Sequence, residues 1–80
     1  MNCDQHDYIE IACTFGLRVR LLLASGEWTE GVALDTRYNQ LRQHCLYLKT
    51  HVGEREITLD SMVRMTAVTD NRYFSDVFFS

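Results

Sequence analysis

The sequence predicts a mainly β fold. One N-terminal α-helix leads into a small, strongly bent antiparallel sheet of five or six strands, or a partly open barrel. Three observations carry this. Apolar residues at the start of the chain recur at helical spacing. From Leu17 onward the chain breaks into short runs that alternate or are rich in β-formers. Glycine-containing turns separate those runs, and proline is absent. At 80 residues the chain makes a single domain, 1–80, with one modest core.

The helix is expected over residues 5–14. Asp4 suits the N-cap, where its carboxylate would accept free backbone N–H groups. Asp7 stands three residues on, at the capping-box position, and Cys3 and Tyr8 occupy the staple positions. At 100° per residue Tyr8, Ile9, Ile11, Ala12 and Phe15 share one broad face, and Asp7, Glu10 and Thr14 the opposite one. Gly16 is the expected stop. A helix this short is marginal alone, so its apolar face must dock on the rest.

Residues 17–23 alternate, with Leu17, Val19, Leu21 and Leu23 on one side and Arg18 and Arg20 on the other; this is a half-buried strand. A turn at Gly26 leads to a return strand, 28–34. Gly31 in its middle points to a bulge or to a close approach of another backbone. The polar stretch 35–43 reads as a loop. Residues 44–50 form the third strand, 51–54 a tight turn and 55–59 the fourth strand. Asp60-Ser61 makes a corner, 62–67 the fifth strand, and 73–79 a sixth strand or a tail laid on the sheet. Its aromatics, with Tyr47, are read as core filling rather than stacking platforms.

Eight basic residues against eleven acidic ones give a net charge of −3. A protein that grips phosphates by charge should be basic, so direct nucleic-acid binding is not expected. Asp4, Asp7 and Glu10 lie in the first ten residues, which hold no Lys or Arg, and the remainder of the chain carries eight acids and eight bases. The net charge therefore resides in the N-terminal segment.

Three widely spaced cysteines, Cys3, Cys13 and Cys45, argue for reduced thiols and small buried hydrophobes. Cys3, His6, Cys13, His44, Cys45 and His51 show no zinc-ligand spacing, and the histidines read as ordinary surface or turn residues. No nucleophile elbow and no glycine-rich phosphate loop appears. The expectation is a cytoplasmic protein that is not an enzyme, has no cofactor or metal, and is a monomer when free. No apolar run has the length of a membrane helix, and no signal peptide is recognised. What remains is the acidic helix, which can present carboxylates to Arg and Lys built for phosphate.

Two resemblances add to this. Residues 19–34, with Leu21, Leu23, Ser25-Gly26-Glu27 and Gly31, resemble the first signature of the Sm-like fold, and Ile57-Thr58-Leu59-Asp60-Ser61-Met62-Val63 sits where the second would fall. The Asp and Asn of the first signature are out of register, and Leu59-Asp60 replaces the Arg-Gly of the second. The fold carries over and the RNA-binding elements do not.

Asn2-Cys3-Asp4 followed by Asp7-Tyr8-Ile9-Glu10-Ile11-Ala12-Cys13 resembles the opening of the Rho-binding antiterminator (Rof) family. The Leu-rich strand, the Gly26-Glu27 turn and Arg55-Glu56-Ile57-Thr58-Leu59-Asp60 continue the likeness. The resemblance implies an inhibitor of the terminator Rho that binds Rho's N-terminal RNA-binding region and blocks RNA from its primary site. It places Asp4, Asp7 and Glu10 against basic residues of Rho, with Asn2 beside them and Tyr8 supporting the helix. Arg37, Tyr38 and Asn39 would add a second contact. The alternative is an Sm-like RNA-binding or oligomerising module.

Overall fold

The computed structural model describes residues 3–79, with side chains from residue 5 to 79. Helix α1 (Cys3–Thr14) precedes strands β1 (Arg18–Leu23), β2 (Trp28–Tyr38), β3 (His44–Thr50) and β4 (Gly53–Thr58). A 3₁₀ turn, Leu59–Ser61, then leads to β5 (Met62–Ala67) and β6 (Asp76–Phe78). The six strands form one sheet in the order β4-β3-β2-β1-β5-β6. Every neighbouring pair is antiparallel, and β4 and β6 remain as open edges.

Strand β1 is the centre of the core because its alternation is strict. Val19, Leu21 and Leu23 point inward while Arg18 and Arg20 face solvent. Ala33, Leu46, Leu48, Ile57, Leu59, Met62, Met65, Val77 and Phe79 join them from the other strands and the 3₁₀ turn. Helix α1 covers this cluster with Ile9 and Ala12, both fully buried, and packs chiefly on β2. Burial of a large aliphatic side chain stabilises by about 1.5–3 kcal/mol, which supplies the docking energy a twelve-residue helix lacks on its own.

The helix ends as its sequence requires. Gly16 takes φ +59°, Leu17 N–H donates to Ala12 O at 2.9 Å and Gly16 N–H to Cys13 O at 3.3 Å. This is a Schellman turn, in which a left-handed glycine closes the last carbonyls. The start differs from expectation. The helix begins at Cys3, so Asp4 falls within the first turn rather than at the cap. An acid there still opposes the positive end of the helix dipole. Its side chain, that of the staple residue Cys3, and the whole of Asn2 lie outside the described residues.

Phe15 also departs from expectation. It stands just beyond the helix, 54% exposed, and stacks on Tyr73 with ring centroids 5.1 Å apart. Its N–H still donates to Ile11 O at 3.1 Å, yet its ring pairs with Tyr73 rather than with the core.

Strand β2 is longer than predicted. The pairing with β3 shifts register between Ala33 and Asp35, leaving a bulge at Leu34. Beyond it Asp35, Thr36, Arg37 and Tyr38 pair with Tyr47, Leu46, Cys45 and His44. The expected loop therefore shrinks to residues 39–43. Gly31 is the close approach: a Cβ there would stand 2.7 Å from Lys49 O, a backbone atom that cannot swing away. Phe79 and Phe74 fill core space as expected. Phe78 instead is 63% exposed, with the Arg64 guanidinium 4.9 Å above its ring.

Candidate protein-docking face

The outer side of α1 is acidic and open. Asp7 is exposed and forms no ion pair with any described residue. The Glu10 side chain is 58% exposed, and its contact is His6, whose Nδ1 lies 3.4 Å from Glu10 Oε1. No Lys or Arg among the described residues pairs with either carboxylate. Tyr8 lies on the other side, packed against the core with its ring edge-on to Phe74 at 5.8 Å, and it steadies the helix.

The second group of expected contacts is split by the fold. Tyr38, at the end of β2, is 70% exposed, and its ring stacks on His44 at 4.6 Å with an interplanar angle of 12°. His44 Nδ1 in turn stands 3.2 Å from His6 Nε2. Glu10, His6, His44 and Tyr38 thus form one continuous array from α1 across β3 to β2. This array brings a helix acid and the end of β2 together on one face.

Arg37 is held away from it. Its guanidinium covers the Tyr47 ring at 4.0 Å and lies 3.6 Å from Asp35 and 3.7 Å from Glu54. Asn39 organises its own loop. Its Oδ1 accepts from the backbone N–H groups of Leu41 and Gln43, both at 2.9 Å. Its Nδ2 donates to Gln43 Oε1 at 2.9 Å and to Glu56 Oε1 at 3.0 Å. Arg42 takes a positive φ of 62° in that turn. The loop walls a shallow groove of about 470 Å³ lined by Tyr38, Asn39, Gln40, Leu41, Tyr47 and Glu56.

At the back of the groove Glu56 accepts hydrogen bonds from Asn39, the Cys45 thiol and the Tyr47 hydroxyl. These donors hold its carboxyl below the usual range, the Asn39 bond most of all. Burial, then the neighbouring Glu56, pushes the Cys45 thiol up. Burial and the charges of Asp35 and Glu10 raise the Cys13 thiol to about 11. Both thiols are therefore protonated at neutral pH, as suits small core hydrophobes rather than nucleophiles. Among the described residues no three His, Cys, Asp or Glu side chains converge as metal ligands. No described helix is long and apolar enough to cross a membrane.

The residues that sequence reading missed are His6 and His44. Read singly, each is an ordinary polar residue. Only the i,i+4 spacing of His6 and Glu10 hinted at a pair on one helix face.

The comparisons with known proteins follow this geometry. A family model described as "Modulator of Rho-dependent transcription termination (ROF)" matches residues 1–79. Among solved structures, "YaeO bound to Magnesium from Vibrio cholerae O395" is similar at a TM-score of 0.90 and 38% sequence identity. That similarity covers 92% of this chain and 96% of the Vibrio chain. No curated protein matches the sequence significantly. With nearly its whole length matched, the chain belongs to the family of modulators of Rho-dependent transcription termination.

Proposed function

We propose that this protein inhibits Rho-dependent termination by binding the N-terminal, RNA-binding region of Rho and blocking RNA from the primary site. Family membership points to Rho as the partner. The observation that carries the mechanism is the open acidic face of α1, where Asp7 and Glu10 meet no Lys or Arg among the described residues. A receptor surface built for phosphates offers Arg and Lys, and these carboxylates fit it in charge. Asp4 lies on the same helix and adds to the field, and Asn2 is proposed as a further contact. Tyr8 holds the helix from below. Tyr38, at the end of β2, gives the second contact, Arg37 over the Tyr47 ring a separate one, and Asn39 shapes the adjoining loop.

The protein acts in the cytoplasm as a monomer, without a cofactor and without gripping RNA itself. Encounter is steered by charge, so affinity falls as salt rises. The test is displacement of labelled single-stranded RNA from Rho. The native protein displaces it. The Asp7→Lys/Glu10→Lys double variant loses affinity by about 100-fold, because close charge pairs across an interface are each worth a few kcal/mol. Its thermal transition stays cooperative, since among the described residues neither carboxylate has an ion-pair partner beyond His6. Unchanged displacement by the double variant would refute the acidic-face mechanism. Tight binding of the free protein to RNA would instead favour the RNA-binding alternative.

A further inference from the structure

We propose that His6 and His44 form a proton-operated latch that sets how available Glu10 is to its receptor; this rests on the Rho-binding reading above. His6 sits on α1 and His44 at the start of β3, 38 residues apart in the chain. Their facing nitrogens, His6 Nε2 and His44 Nδ1, are 3.2 Å apart, and the rings are tilted by 40° with centroids 4.8 Å apart. The far nitrogen of His6 points at Glu10 and the far face of His44 is stacked by Tyr38.

Two nitrogens at that distance have room for one proton between them. In the neutral pair His6 Nδ1–H donates toward Glu10, and His6 Nε2 accepts from His44 Nδ1–H. This tautomer is the one that the carboxylate favours. Adding one proton makes an imidazolium between the Glu10 carboxylate and the partner imidazole. Both of its N–H groups are then used, and the new charge lies against Glu10. Adding a second proton puts N–H against N–H and like charge against like charge, so the contact must open.

Among the described residues the titratable groups in contact with the pair are Glu10 from its own helix and the Tyr38 phenol from β2. Asp7 flanks His6 in sequence. Among the described residues β4 and the Leu59–Ser61 turn make no hydrogen bond or ion pair to either ring. Imidazole is the side chain that gains charge between about pH 5 and 8. A basic receptor and the first proton therefore compete for the same carboxylate, and by linkage each weakens the other.

The test begins with the free protein. Nitrogen NMR that resolves His6 and His44 from the third imidazole, His51, should show two separated steps for the pair from pH 8 to 5, with the Glu10 carboxyl carbon following the first. In His44→Gln the His6 step should be single. Two coincident, independent steps with no response at Glu10 would overturn the latch. The second arm measures binding to Rho at pH 8 and pH 6. The dissociation constant should rise on the order of fivefold, a typical coupling between sites. In His6→Gln that pH dependence should flatten, a comparison in which the titration of Rho itself cancels. Equal pH slopes in the native protein and His6→Gln would also overturn it. No binding at pH 8 would refute the Rho reading and leave the NMR arm to decide the latch.

Discussion

The carboxylates of the sheet and those of the helix face different company. On the sheet Glu27 is forked by Arg55 at 2.7 and 2.9 Å. Glu30 lies near Arg18 and Arg20, Asp35 and Glu54 near Arg37, and Asp76 at 2.9 Å from Arg64. On α1, Asp7 and Glu10 have no such partner among the described residues. The same residue type thus serves the fold in one region and is left for an external partner in the other. The cause is local supply. Cross-strand register sets Arg20 opposite Glu30, whereas the first ten residues contain no Lys or Arg to place beside an acid.

The comparison can be broken or sharpened by substitution. After the helix reversal described above, the next largest effect is expected at Gly31, which belongs to neither charge set. Gly31→Ala drives a Cβ against Lys49 O and should cost about 2–3 kcal/mol in urea unfolding. The helix docks on β2, so binding and stability should fall together there, unlike the helix reversal, which separates them. A Gly31→Ala protein of native stability would show that the β2–β3 approach is not tight in solution.

Asn39→Ala is expected to cost about 1–2 kcal/mol, because the loop N–H groups of Leu41 and Gln43 lose their acceptor. Faster amide exchange at those two positions, with the rest of the sheet unaltered, is the signature to look for. If Rho affinity fell while exchange stayed native, Asn39 would be a contact rather than a loop organiser.

The smallest effects belong to the sheet ion pairs. Glu27→Gln should leave RNA displacement within about twofold of native and lower the denaturation midpoint slightly, as exposed pairs contribute little. Acid titration sharpens the same point. The Arg55 hydrogen bonds hold Glu27 below its ordinary 4.5, and Thr66, then Arg64, hold Asp76 below 3.8. Protons therefore bind the unfolded chain more tightly at these sites. Their stabilisation is complete above those ordinary values and is lost as pH falls through the lower folded ones. Unfolding midpoints should drop increasingly below pH 4.5, and Glu27→Gln should soften that drop.

Much of the fold was legible because it is written locally. The alternation of Val19, Leu21 and Leu23 marked the central strand, and Gly16 marked the helix stop through its left-handed geometry. The polar stretch after Leu34 misled, since the bulge there carries Asp35 to Tyr38 onward as strand. Strand pairing satisfies backbone groups whatever the side chains, so polar residues with partners on β3 need not be a loop. Phe15 misled for a different reason: an apolar residue at the end of a helix can find its partner outside the core, here the Tyr73 ring.

The sequence by itself determined a short acidic helix, an alternating central strand and a body whose charges balance. These depend on neighbours within a few residues, through backbone periodicity and the supply of opposite charge. Tertiary structure alone decided that His6 meets His44, that Tyr38 stacks on His44, and that Asn39 is spent on its own loop while Glu10 stays open. Those contacts follow from the docking angle of α1 on β2 and from a register shifted by one bulge, quantities that no local pattern encodes.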